Sequence, residues 1–401
     1  MMFIRCAGIA LLGLHLASAA PGNPTGLDTS SDTLLAAVKA LQRWYNPSTG
    51  IWDSTGWWNG ANCLTVLVDW ALADVSGARH VDVPDIIATT FRNAQQIDAT
   101  AQKTFDARGL PVSEYNLTIS KRGFPGFLNE YYDDEGWWAL ALIRAWDLTR
   151  HAAYLDMAER IFEDMRGGVD DECGGGIWWS KARDYKNAIA NELYISVGAS
   201  LARRVPAKRI EYAGAAAGMW SWFEKSGMIN EQGLVNDGLE MLLDGGCVNN
   251  GMATWTYNQG VLLGGLVELA AVTRERLFLD QAVRTAKAAL RGLTDENGIL
   301  SEANGCEPDC GSDGGQFKGI FMRNLVDLYK AVPDDEFLLA ILRNADAVWT
   351  RNRNDQNQFG ISWWGPPDAG RGPDASTHSS ALDVVVGARA VAGISRLPSH
   401  G

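Results

Sequence analysis

Three carboxylic acids stand in a row, Asp133, Asp134 and Glu135. They lie inside the run Asn129-Glu130-Tyr131-Tyr132-Asp133-Asp134-Glu135-Gly136-Trp137-Trp138. Acids at a helix start often do no more than cap it, because the free N–H groups and the helix dipole favour negative charge there. Here four aromatic rings flank them, and no Lys or Arg lies within several residues to neutralise them. Neighbouring carboxylates repel, so their protons leave in split, coupled steps, and one stays protonated while the other ionises. Glycoside cleavage needs that division: one carboxyl acts as nucleophile or base, the other as acid, and a separation of ~5–5.5 Å goes with retention of configuration. Aromatic walls around acids, without a basic groove, suit a neutral polar ligand such as a sugar. Its C–H faces lie on indole rings and its hydroxyls pair with Asn, Gln, Asp and Tyr.

Further groups could serve such a ligand. Tyr257, Asn258 and Gln259 precede an apolar stretch, where they either meet sugar hydroxyls or cap a helix. Tyr185, Lys186, Asn187 and Asn191 stand in the same relation to the next such stretch, and Asn59 and Asn62 follow Trp57-Trp58. Asp313, Gln316 and Lys318 follow Cys306 and Cys310, with Lys318 read as a surface charge or an acid's partner unless it meets the ligand. His378 is read as a hydrogen-bonded structural group. No H-E-x-x-H, G-x-S-x-G or phosphate-loop pattern occurs. The Cys-x3-Cys spacing has no second pair to make a metal site, so neither metal nor cofactor is expected.

The elements that must position these residues recur along the chain. A polar, amphipathic helix is followed by a Gly- and Trp-rich loop and then a helix apolar nearly all round. The polar helices are expected over Ser31–Tyr45, Pro84–Ala99, Ala152–Met165, Ala207–Lys225, Arg276–Arg291 and Asp335–Arg351. The apolar ones start near Asn59, Asp133, Lys186, Asn258, Lys318 and Ser379. Spacings such as Leu155, Ala158, Ile161, Phe162 and Met165 keep one stripe on one face, whereas an all-round apolar helix is buried on both sides. Strand-like alternation looks scarce. Six such hairpins close into an all-α (α/α)6 toroid, a single domain over residues 29–395. That accounts for 401 residues without a linker to divide them. The long connections then gather at one rim. There too fall four Trp-Trp pairs, Trp57-Trp58, Trp137-Trp138, Trp178-Trp179 and Trp363-Trp364, half of the chain's 16 tryptophans.

Charge and ends bound the setting. The net charge of −13 argues against a nucleic-acid partner. Residues 1–19 read as a secretory signal: Arg5, an apolar stretch, then Ala17-Ser18-Ala19. Residues 20–28 form a short lead and 396–401 a tail without the hydrophobic end of a lipid-anchor signal. A secreted, extracellular, monomeric protein without a membrane anchor is expected. Five cysteines then remain. Cys306 and Cys310 are close enough to pair, and Cys63, Cys173 and Cys247 leave one bridge and one thiol. Asn116-Leu117-Thr118 is a glycosylation sequon.

The run Tyr131–Trp138 resembles the aspartate-pair signature of glycoside hydrolase family 76, the endo-α-1,6-mannanases. So do Cys173-Gly174-Gly175-Gly176-Ile177-Trp178-Trp179, Tyr185–Glu192 and Tyr257-Asn258-Gln259-Gly260. The resemblance extends from about Leu27 to Ile394. It implies an (α/α)6 fold, a retaining reaction with Asp133 as nucleophile and Asp134 as acid/base, and the α-1,6-linked backbone of fungal wall mannan as substrate. Trp57, Trp58, Asn59, Asn62, Tyr132, Trp137, Tyr185, Asn187, Asn191, Tyr257, Asn258, Gln259 and Lys318 are the candidate substrate contacts. The alternatives are a wall transglycosylase of the same family and a glycan-binding protein without turnover.

Overall fold

Helices apolar on all sides need partners on all sides, and those apolar on one side need only one. In a computed structural model, which describes residues 30–394 apart from 108–109, 120–123 and 125, the chain sorts its helices by that rule. Six inner helices are α2 (Trp57–Ala73), α5 (Tyr132–Thr149), α7 (Ala188–Arg204), α9 (Thr256–Thr273), α11 (Gly311–Ala331) and α13 (Ala375–Ile394). Each packs on the next, and α13 returns to α2, so the ring closes. Six outer helices alternate with them in sequence: α1 (Ser31–Leu41), α4 (Val83–Asn93), α6 (Ala152–Arg166), α8 (Arg209–Phe223), α10 (Arg276–Gly292) and α12 (Asp335–Arg351). A four-residue α3 (Val75–Ala78) follows α2. This is the all-α (α/α)6 toroid.

Burial follows the layering. Every residue of α7 from Ala188 to Ala202 is buried, polar ones included. In α6 only Tyr154, Met157, Ala158, Ile161, Phe162 and Met165 are, one stripe at helical spacing. One apolar cluster runs from Leu34 to Val391. Inner helices approach closely where they carry glycine. A Cβ on Gly319 would lie 2.3 Å from the Ser380 carbonyl oxygen of α13, and one on Gly260 2.5 Å from Cα of Phe321. Helix α11 starts at Gly311, seven residues before the expected Lys318. Gly311, Gly314 and Gly315 read as loop, but here Gly311 lies against the Pro111 carbonyl of a β-hairpin, Gly314 against Cys310, and Gly315 against Thr377 of α13.

The strands depart furthest from expectation. The helix expected over Pro84–Ala99 stops at Asn93. A 3₁₀ turn, Ala94–Gln96, leads into an antiparallel hairpin of β3 (Ile97–Phe105) and β4 (Pro111–Ile119), with Lys103 opposite Ser113. Two shorter hairpins pair β1 (Tyr45–Asn46) with β2 (Ile51–Trp52) and β5 (Leu239–Met241) with β6 (Cys247–Asn249). The β3–β4 sequence is rich in Thr, Val, Tyr and Ile, as a strand pair should be. β4 lies on α11 at the site rim.

Two disulfides are present, Cys173–Cys247 and Cys306–Cys310, and Cys63 is a buried thiol. Among the described residues no helix is long and apolar enough to cross a membrane. The expected signal (1–19), lead (20–28) and tail (396–401) lie outside the described residues. So does the side chain of Asn116, whose backbone belongs to β4.

Candidate active site

The start of α5 sets the centre of the site. Tyr131 leaves extended backbone and Tyr132 opens the helix, so Asp133 and Asp134 fall in its first turn. There the positive helix end favours their charge. Asp133 accepts hydrogen bonds from the Asp134 N–H (2.9 Å) and the Trp179 indole N–H (2.9 Å). Asp134 accepts one from the Asn129 side chain (2.7 Å). It is fully buried, whereas Asp133 lines a cleft at the rim of the ring. Burial first, and the Asp133 charge with it, push the Asp134 carboxyl up to about 6, although Lys103 and Asn129 pull the other way. Glu135 turns away. It accepts the Asn129 N–H (2.9 Å) and pairs with Lys181, and burial raises its carboxyl well above the usual range.

Lys103 contradicts the reading that no base neutralises the acids. Its Nζ lies 3.2 and 3.0 Å from the two Asp133 oxygens and 2.6 Å from Asp134 Oδ1. It arrives from β3, thirty residues upstream, which is why a search of near neighbours misses it.

Two connections and three further helix starts complete the cleft. Its walls are Trp58, Trp137, Trp179, Trp255, Tyr257 and Phe317, and its polar groups include Tyr185, Asn187, Asp237 and Asp313. The Tyr185 hydroxyl donates to Asp237 (2.6 Å) and accepts from Asn250 (2.8 Å). Asp313 accepts from the Trp58 indole (3.1 Å) and the Ser113 hydroxyl (2.6 Å). Burial raises both carboxyls, that of Asp237 to about 6. The loop carrying Trp179 is clamped from beneath. Lys186 Nζ, almost fully buried, donates to Asp170 (2.8 Å) and to the carbonyls of Glu172 (2.6 Å) and Gly175 (2.8 Å). Gly176 passes at φ +87°, where a Cβ would strike the Trp222 ring at 2.3 Å.

The sequence candidates divide. Asp133, Trp58, Trp137, Tyr185, Asn187 and Tyr257 line the cleft, with Asp134 directly behind. The others serve the frame. Trp57 packs on Phe127 and Trp138. Asn62 bonds its own helix and Arg323. Tyr132 lies under the Lys181 ammonium. Asn191 holds the backbone of Ile177, and Gln259 that of Val235. Asn258 is wholly buried outside the cleft lining, and Asn59 lines an adjoining recess that shares Asp313 with the cleft. Lys318 is buried against Glu307 (2.6 Å) and the Ile361 carbonyl (2.7 Å), the acid's partner and no sugar contact. His378 is likewise structural, meeting the Ala37 carbonyl (2.9 Å) and the Phe359 N–H (3.1 Å), and burial lowers it to about 4.

The model of glycosyl hydrolase family 76 matches residues 31–393. This chain belongs to that family. Curated relatives of this family 76 chain include two proteins of Candida albicans named mannan endo-1,6-alpha-mannosidase. DCW1 is 30% identical over 255 residues, 58% of this chain and 55% of its own, and DFG5 is 28% identical over 215 residues, 49% and 46%. The chain thus spans about half the length of the curated relatives it matches. Among solved structures, an inactive double Asp→Asn variant of a Salegentibacter alpha-1,6-mannanase, in complex with alpha-1,6-mannotriose, superposes with TM-score 0.72. It is 21% identical and covers 90% of this chain and 98% of its own. Dfg5 of Chaetomium thermophilum, in complex with glucosamine, gives TM-score 0.73 at 20% identity, covering 92% and 93%. At that identity they support the fold.

Proposed function

We propose that this chain is a secreted, endo-acting, retaining glycoside hydrolase that cleaves α-1,6-mannosidic bonds in mannan. The observation that carries the reading is the Asp133–Asp134 pair at the start of an inner helix, under a tryptophan-walled cleft, in a family 76 chain. Its supports from relatives are the mannan endo-1,6-alpha-mannosidase names and the complex of a doubly Asp→Asn variant with alpha-1,6-mannotriose.

Asp133 is the nucleophile. Its carboxylate attacks the anomeric carbon as the glycosidic C–O bond breaks, giving a glycosyl-enzyme ester. Asp134 gives its proton to the departing oxygen, then takes one from the water that opens the ester, which frees the sugar and restores both groups. One nitrogen, Lys103 Nζ, bonds both carboxylates, so their facing oxygens are close. Two such bonds end to end stay below the ~6.5 Å at which the inverting geometry begins. Trp179 holds Asp133 in place and Asn129 holds Asp134. Trp58, Trp137 and Tyr257 supply ring faces for the sugar.

Incubation with unbranched α-1,6-mannan should release reducing ends, and both Asp133→Asn and Asp134→Asn should lose them. Full activity in either variant would overturn its assigned role. Saturable binding with no product from the wild type would favour a glycan-binding protein. Lengthened products with an added mannoside acceptor would favour transfer over hydrolysis. Sequencing the N-terminus of protein recovered from the medium tests secretion and cleavage after Ala19.

A further inference from the structure

The β3–β4 hairpin is held over the catalytic pair from both sides. The backbone N–H of Ser113 donates to Ser312 Oγ (2.8 Å) and the Ser113 hydroxyl to Asp313 (2.6 Å), which pins β4 to the start of α11. The ladder sets Lys103 opposite Ser113, so the same anchor fixes where the lysine reaches. Its ammonium sits 4.7 Å above the Tyr131 ring and 5.5 Å from that of Trp179, with its side chain 7% exposed. It bonds both Asp133 oxygens and Asp134 Oδ1, while Asn129 holds Asp134 Oδ2. Lys103 lines the cleft and Asp134 does not. The cation therefore fills the wedge between the carboxylates and screens the acid from the cleft.

We propose that Lys103 is a substrate-displaced counter-ion. It holds the two aspartates in register in the empty site and is pushed aside by the sugar unit at which cleavage occurs. This rests on Asp133 and Asp134 being the reacting pair. A sugar cannot meet both carboxylates while an ammonium lies on three of their oxygens. Nor does an acid keep its proton well when a cation bonds it. Displacing Lys103 thus opens the position and favours the protonated form of Asp134 at once. The other titratable groups facing the pair are Tyr131 on its own segment, Tyr185 and Asp237 from the connections around α7, Tyr257 on α9 and Asp313 on α11. None supplies a second positive charge.

The test uses Lys103→Met, which keeps the length and removes the charge, and Lys103→Arg, which keeps the charge on a broader head. Calorimetric affinity for α-1,6-mannotriose should rise several-fold in Lys103→Met and fall in Lys103→Arg. Equal affinity in all three proteins overturns the proposal. For turnover, the alkaline limb of kcat/KM, which reports the empty enzyme, should move up by about one pH unit in Lys103→Met. The limb of kcat, which reports the occupied enzyme, should stay. Equal shifts in both limbs mean the ammonium remains on the pair in the complex, and they also overturn it. A wild type that binds mannotriose without turnover, with the affinity order kept, would sink the assigned reaction and leave the displacement standing.

Discussion

Asp134 carries a pH dependence that can be worked out in advance. As the acid it must hold its proton, and burial beside Asp133 places its loss at about 6. The kcat/KM, which reports the empty enzyme, should therefore fall as pH rises through about 6, and Asp134→Asn should abolish that limb along with ~10²–10⁴ of the rate. A pH series of initial rates on α-1,6-mannan checks both. Lys318 makes the opposite case. Its sequence position suggested a sugar contact, but its ammonium is buried on Glu307. Lys318→Met strands that carboxylate and should cost about 3–5 kcal/mol in a denaturant melt, with KM for mannan unmoved. The aspartates were legible because three acids among aromatics at an apolar helix start are rare. Lys103 was not, since nothing in its local sequence tells that a hairpin will carry it thirty residues onward to them.

The helices were legible from period alone, because an apolar stripe and an all-round apolar helix need different neighbours. Boundaries failed where glycine and strand residues changed meaning. Gly311–Gly315 looked like a loop but begins α11, and Ile97–Ala99 looked like the tail of a helix but opens strand β3. Glycine at inner contacts gives a second expectation. Gly319→Ala places a Cβ 2.3 Å from the Ser380 carbonyl, so α11 and α13 must part. A loss of about 1–3 kcal/mol in thermal or urea unfolding is expected, more than for alanine on an exposed helix face. The tryptophan pairs split by the same geometry. Trp58, Trp137 and Trp179 face the cleft, while Trp57, Trp138 and Trp178 face the interior. Trp363-Trp364 does neither job at the cleft: Trp363 lies buried near Lys318 and Trp364 is 45% exposed. Sequence placed these pairs near one rim, but Trp57-Trp58 and Trp137-Trp138 lie on helices, where consecutive residues point about 100° apart, and Trp178-Trp179 lies in a connection between two bridges, so in each of these pairs one ring meets the cleft and the other does not.

At the scale of the whole molecule, Cys173–Cys247 ties the loop that carries Trp179 to the β5–β6 hairpin near Tyr185 and Asn250. It spans 74 residues, and chain entropy alone assigns it about 4 kcal/mol. Cys173→Ser with Cys247→Ser should lower the melting temperature and raise KM together. Opening Cys306–Cys310, only four residues apart, should do less to stability. The closure of α13 onto α2 has a consequence for how the ring is made. Cys63 in α2 donates to the Ala375 carbonyl at the start of α13, a partner 312 residues later. At ~5–20 residues per second of synthesis, the first inner helix waits roughly 15–60 s for the helix that covers its open flank. Until then that flank, on a helix buried nearly all round in the finished ring, is a sticky surface. A nascent chain of this protein should therefore lean on chaperones more than a bundle of equal size whose neighbours arrive in order.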